Sequence, residues 1–565
     1  MVQLIKKQKQ NIGYGVLMLL FSIIFVAPLL KTQTFFASDD LAFHINRLQD
    51  LVSNYKHGNW YPYLYTFDFF KVPYLLGTFY PQLLLLPFVW FTALTGNLIF
   101  GIYLGIALYT YLTMLIMFGV IKKVNGSSNQ LAFVAAVLYA FSILRTYNVY
   151  SRFALGEFVA MTFIPLALYG LYQLVKNNGR GWLALGLGLS MVMCSHVITT
   201  FLTIIFLLIE ACFLVPVVKN WKLVWLNLGK AVVVFIGSSA IFLGPFLEQS
   251  VKMHLAQPAP MNILATALPF ATLVENSLSN NLVSSYMLGD PVSGTGIGLI
   301  YLLAIGYGMI NFKKFSRFEQ VIYLLGTVAF LMSSQLFPWN LLQKTPIKVI
   351  QFATRLLPFA TVYLSVIAAQ MVLKASKQLS FGQQKVMLLL ASLMIIIPWY
   401  GSLQKFQQVM TERGDNFTVE KRYQSSDYNE DYYHLKDYVP ISLGKGVDNL
   451  EGRQAIINGK HVKLKKITAI PDGMKYRDQN LQNATKVILP AVAYANLVAY
   501  QQGTQLPIRN EGGQVALKNT KRGSILLKYQ PSLLDKASMA ISLVTWLVLF
   551  LFGVRTLLVK GLRKK

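Results

Sequence analysis

The chain has 565 residues, of which 55% are hydrophobic and 13% charged, with a mean hydropathy of +0.48 and a formal net charge of +28. A soluble domain carries roughly 25% charged residues, so this composition excludes a water-soluble enzyme. The basic excess sits in short loops between apolar runs and no nucleic-acid-binding motif accompanies it, so it reads as the positive-inside pattern rather than as a nucleic-acid surface. Cys194 and Cys212 both fall inside apolar runs, which implies no disulfide framework.

Apolar runs of about 20 residues predict transmembrane helices. Twelve are read in chain order: 11–30, 98–121, 130–145, 158–175, 182–198, 199–217, 228–246, 294–311, 319–337, 352–373, 384–401 and 537–558. With Lys6, Lys7 and Lys9 in the cytoplasm, each later basic loop and the 560–565 tail also falls inside. The run 80–95 is apolar enough to span, but counting it would invert every later loop, so it reads as re-entrant or interfacial. Residues 402–535 change character: charge rises and short β-prone runs alternate with turns. The predicted fold is therefore an α-helical polytopic membrane protein with a small, mainly β domain before the last helix. Residues 1–401 form the membrane domain, with a first outer loop at 31–97. Residues 402–535 form an extracytoplasmic domain, and 536–565 the final helix and basic tail.

Acids are scarce before residue 401, and most fall on or near the outer face. Asp39, Asp40, His44 and Arg47 follow the first span. On a helix, Asp40, His44 and Arg47 share one face at i, i+4 and i+7. One reading makes Asp40 a general base or a ligand to a divalent ion, His44 a second ligand or proton partner, and Arg47 an anion contact. The same spacing fits an amphipathic interfacial helix with a solvated charged edge. Arg152 and Glu157 lie between the third and fourth spans, where Glu157 could instead cap a helix or pair with Arg152. His196 ends the fifth span, a place that also suits a packing residue. Arg355 enters the tenth span, where it could grip a lipid phosphate or snorkel to headgroups. Glu210 is an intramembrane acid, placed toward the inner half and outside this group. An acid, an imidazole and guanidinium groups on one side of a bundle suit transfer of a group from an anionic lipid donor.

The ordered segments Asp40-Leu41-Ala42-Phe43-His44-Ile45-Asn46-Arg47, Gly58-Asn59-Trp60-Tyr61-Pro62, Leu155-Gly156-Glu157-Phe158, Ser195-His196 and Gln351-Phe352-Ala353-Thr354-Arg355 resemble the bacterial YfhO-like membrane proteins. These are often labelled "6-pyruvoyl-tetrahydropterin synthase-related", and the family is similar to GT-C-fold glycosyltransferases. The resemblance implies a polyprenyl-phosphate-linked sugar as donor, Asp40 as the first-loop catalytic acid and Glu157 as the second-loop acid. Asp39 falls at a variable position. The family's Gln-Phe-Pro-Trp-Arg is replaced here by Ala353 and Thr354 before Arg355, and no zinc-binding histidine triad supports pterin chemistry. The expected activity is transfer of a sugar to a cell-surface polymer on the outer face of a bacterial plasma membrane, with a divalent metal ion at Asp40 and Glu157 as an open question. The alternatives are a transporter or flippase of lipid-linked intermediates, and a non-catalytic envelope scaffold.

Overall fold

A computed structural model describes the chain except residues 1, 33, 37–39, 125, 177–179, 257, 259–260, 284–295, 375–380, 413–415, 418–434, 436, 445 and 563–565. Asp39 lies outside the described residues. Among those described, eight helices are long and apolar enough to cross a membrane: Gln10–Lys31, Leu98–Lys123, Leu155–Lys176, Val197–Val217, Trp221–Lys252, Ala353–Leu373, Val386–Glu412 and Leu533–Thr556. A ninth forms if Asn129–Ala140 and Ile143–Ser151, bent by 41°, count as one span. The chain is a multi-pass membrane protein.

The remaining three predicted runs are helical but shorter. Trp182–Met193 has 12 residues, Leu299–Asn311 has 13 and Arg317–Met332 has 16. The fifth is cut short because the chain leaves the helix after Met193, and His196 starts a new one as its N-cap. The run 80–95 folds as a short apolar helix, Leu83–Thr95.

The chain divides into two compact units. The first comprises 1–41, 97–231 and 260–420. Its interior is an aromatic and small-residue core. Phe25 stacks on Trp399 at 5.6 Å, and the Trp399 indole donates to Thr146 Oγ1 at 2.8 Å. The helices Ile164–Lys176 and Trp182–Met193 approach closely because glycines face backbone: a Cβ on Gly188 would lie 2.7 Å from Ala167 Cα.

The second unit comprises 42–96, 232–259 and 421–565. It holds two five-stranded antiparallel sheets. The strands are β1 (Gln454–Ile457), β2 (Lys460–Lys463), β3 (Ile467–Ile470), β4 (Gly473–Tyr476), β5 (Lys486–Val492), β6 (Leu497–Gln501), β7 (Thr504–Leu506), β8 (Arg509–Glu511), β9 (Gln514–Lys518) and β10 (Ile525–Tyr529). The orders are β8-β9-β5-β1-β2 and β3-β4-β10-β6-β7. Alternation buries Ile525, Leu527 and Tyr529 of β10 on one face and leaves Lys528 outside. Strand β10 then runs directly into the last helix.

Candidate active site

Within the first unit, three segments far apart in sequence bring four charged side chains together. The backbone N–H of Asp40 donates to the Arg152 carbonyl at 3.1 Å, and the Asp40 carboxylate lies 3.5 Å from Arg152 Nε. The other side of the same guanidinium meets Glu157, with Nη1 to Oε2 at 3.3 Å. Arg355 Nε stands 3.9 Å from that Glu157 oxygen. The result is a row of alternating sign: Asp40, Arg152, Glu157, Arg355.

Local backbone explains how the row is held. The chain before Arg152 is a π-helical turn, Tyr147–Ser151, a feature frequent at functional sites. Phe153 then adopts φ +58°, a costly conformation for a bulky residue, and its ring packs on Phe35 at 4.9 Å. That turn reverses the chain, so Arg152 and the helix Leu155–Met161 carrying Glu157 face each other. Gln351 also takes a positive φ, +63°. Its side-chain oxygen and the Ile350 carbonyl each accept from Arg355 Nη1 at 2.8 Å, which fixes the guanidinium. The Gln-to-Arg spacing of the sequence segment is thus a side-chain pair.

The four side chains differ in exposure. Side-chain exposure is 38% for Asp40, 17% for Arg152, 4% for Glu157 and 8% for Arg355, so Asp40 is the most exposed of the four. Burial raises the Asp40 carboxyl above its ordinary range; Arg152 and then Arg355 oppose this, and Glu157 adds to it. A carboxylate poised in this direction is a better proton acceptor than an ordinary aspartate.

A divalent ion at Asp40 and Glu157 was left open by the sequence, and here both carboxylates are paired with Arg152. A guanidinium occupies the space between the two carboxylates, and no group of three or more metal-ligating side chains exists among the described residues.

The other candidates are placed differently. His196 caps the helix Val197–Leu214: its Nδ1 accepts from the Thr199 N–H at 3.3 Å and meets Thr199 Oγ1 at 2.8 Å. His44 and Arg47 belong to the second unit, on the helix Leu41–Lys56, and the expected solvated edge is corrected there. His44 is 1% and Arg47 0% exposed. Arg47 donates to the carbonyls of Tyr80 and Pro81 and stacks on the Tyr80 ring at 4.2 Å. Its positive charge ties down the first loop instead of facing water. The ring of His44 lies edge-on to Tyr80 at 6.0 Å.

Three groups were missed by sequence reasoning. Asp50, fully buried on the same helix as Arg47, accepts from the Phe67 and Asp68 N–H groups at 2.8 and 2.9 Å. Asp472, in the β3–β4 turn, accepts from Tyr63 and Leu64 N–H at 2.7 and 2.8 Å and from Asn59 at 2.8 Å. Pro471-Asp472-Gly473 is a readable turn signature, but its use as a clamp on a distant loop is not readable. Arg145, 0% exposed, donates to the Phe158 carbonyl at 3.1 Å and lies 4.3 Å over the Phe158 ring. An arginine inside an apolar run was the available signal.

No family model matches the chain. An uncharacterized protein of Lactococcus lactis subsp. cremoris is 22% identical over 355 residues, covering 59% of this chain and 55% of that protein. The chain thus spans about half the length of the curated relative it matches. Among solved structures it is similar to the arabinofuranosyltransferase AftD from Mycobacteria, with TM-score 0.43 and 13% identity over 70% of this chain and 27% of that one. It is also similar to the Archaeoglobus fulgidus oligosaccharyltransferase, with TM-score 0.39 and 12% identity over 78% and 58%. A third is ArnT from Cupriavidus metallidurans bound to undecaprenyl phosphate, with TM-score 0.33 and 13% identity over 66% and 62%. Likeness at this level assigns no residue a role.

Proposed function

We propose that this protein is a membrane glycosyltransferase of GT-C type, related to the YfhO-like proteins. It moves a sugar from a polyprenyl-phosphate donor to a cell-surface polymer on the outer face of a bacterial plasma membrane. The observation that carries this reading is the Asp40–Arg152–Glu157–Arg355 row, in which one partly exposed carboxylate is backed by a buried acid and two fixed guanidinium groups.

In this reading Asp40 takes the proton from the acceptor hydroxyl as that oxygen bonds to the anomeric carbon. The bond from that carbon to the phosphate oxygen breaks, and the polyprenyl phosphate leaves with the electron pair. Arg152, the second most exposed member, neutralises charge at the leaving phosphate. Glu157 is a positioning residue that holds Arg152, and Arg355 in turn stands beside Glu157. The sequence expectations remain the frame: both termini cytoplasmic, and residues 402–535 an extracytoplasmic domain. The transport alternative draws on Glu210. Among the described residues its Oε2 has no hydrogen-bond partner, and it lines a cavity of about 60 Å³ with Tyr363.

The test compares envelope-polymer glycosylation, by mass spectrometry, in cells carrying wild type, Asp40→Asn or no copy, at matched membrane levels. Loss of a sugar in the deletion that Asp40→Asn fails to restore supports the transferase. Full restoration by Asp40→Asn, or no change in any sugar, overturns it in favour of transport or scaffolding.

A further inference from the structure

The β-rich part of the second unit is far more basic than its flanks. Between Arg453 and Tyr529 there are 13 lysines and arginines against three acids. Backbone pairing gathers many of them at one end. The Arg477 N–H donates to the Lys466 carbonyl at 2.8 Å, and the Leu464 N–H to the Arg453 carbonyl at 3.0 Å, so the link from β2 to β3 lies against the end of β4. In register, Ile525 of β10 stands between Tyr476 of β4 and Gln501 of β6. The Gln501 side chain holds the turn before β10, donating to the Lys521 and Gly523 carbonyls at 2.7 and 3.2 Å. Lys463, Lys465, Lys466, Arg477, Lys521 and Arg522 are therefore grouped at this end, and all six are exposed.

Among the described residues their charge is offset by a single acid in the group. The acid in this group, Asp478, is 8% exposed, and it accepts from the N–H groups of Lys465 and Asn480 at 3.0 and 3.1 Å. Six exposed cations around one buried acid are costly as mutual repulsion and favourable only toward an anion.

Strand direction discriminates between anions. Strand β10 starts at this basic end and finishes at Tyr529, four residues before the apolar helix Leu533–Thr556. A five-residue strand covers roughly 17 Å, about twice the screening length in physiological salt. The basic end is thus at the far end of β10 from the membrane-spanning helix, a position that favours an anion able to approach through the aqueous phase.

We propose that this basic end is a docking surface for a soluble polyanion with repeated phosphate or carboxylate groups. The surface stands on its own, and its assignment as the holder of the acceptor rests on the transferase reading. The test uses full-length protein in phosphatidylcholine nanodiscs, with polyglycerol phosphate as probe and uncharged dextran as comparison. Wild type should bind polyglycerol phosphate and not dextran, weakening about tenfold or more as salt rises from low to physiological. Lys466→Gln with Arg477→Gln should weaken binding about tenfold. The control Lys460→Gln with Lys528→Gln, which removes equal charge elsewhere in the domain, should retain it. Equal loss in the control shows diffuse charge and overturns the proposal. Binding to phosphatidylglycerol vesicles but not to polyglycerol phosphate overturns it in favour of a lipid surface. Cells carrying the Lys466/Arg477 variant separate the two claims: intact glycosylation with lost polymer binding removes the docking surface from the reaction and leaves the transferase standing.

Discussion

Four side chains in a row invite a split between activity and stability. Asp40 is the most exposed of the four but partly buried, so Asp40→Asn should cost about 1 kcal/mol in thermal unfolding, less than loss of Arg152. The same variant should lower sugar transfer at least 100-fold if Asp40 is the base. Arg152 is different, because it is the partner of the buried Glu157. Arg152→Met should cost roughly 3 kcal/mol by leaving a buried carboxylate poorly compensated. Adding Glu157→Gln should return at least half of that, since the stranded charge is then gone. Thermal unfolding of the two single variants and the double variant in detergent checks this; a double variant no more stable than Arg152→Met shows that the pair is not coupled. Asp40 and Glu157 were legible as candidates because acids are rare in this chain. Their link was not legible, because it depends on a π-helical turn and on Phe153 at a φ that no local pattern announces. Arg47 misled for the converse reason. Its helical face looked solvated until residues 80 and 81 folded over it, a contact made across 33 and 34 positions of sequence.

Elements in this molecule are joined by small residues in the membrane and by carboxylates outside it. Gly188 meets the backbone of Ala167 across two short helices, whereas Gly119 on Leu98–Lys123 has open space where a side chain would go. Gly188→Val should therefore destabilise by at least 1–3 kcal/mol through overpacking, and Gly119→Val should not, as read by thermal unfolding. The β3–β4 turn offers a pH signature. Burial pushes the Asp472 carboxyl up to about 6, against the N–H groups of Leu64 and Tyr63, the Asn59 amide and the Lys528 charge. A folded-state value above the unfolded one means the folded protein prefers the protonated form. Its contribution is then present in full below the ordinary carboxyl range and lost as pH rises through about 6. Wild type should lose stability over that window and Asp472→Asn should lose less; identical pH profiles would remove Asp472 as the titrating group.

At the scale of the whole chain, the disposition of the membrane helices turns on the three short ones. At 1.5 Å per residue, helices of 12, 13 and 16 residues reach about 18, 20 and 24 Å, against a hydrocarbon core of about 30 Å. Charge nevertheless asks them to cross. Lys176 and Arg180 before Trp182–Met193, and Lys219 and Lys222 after Val197–Val217, can share the cytoplasmic side only if both helices traverse. Short spans are accommodated by local thinning of the bilayer at modest cost, whereas moving a lysine cluster to the outer face works against the strongest orientation signal in the sequence. The charge argument should win. Cysteine substitution at positions 176, 222 and 460, one at a time in a chain lacking Cys194 and Cys212, tests it in intact cells. A membrane-impermeant maleimide should label Lys460→Cys in the β domain and leave Lys176→Cys and Lys222→Cys unlabelled until the membrane is opened. Labelling at 222 but not at 176 would mean that Trp182–Met193 does not cross. Protection at 460 would place the β domain in the cytoplasm and take an envelope polymer out of its reach.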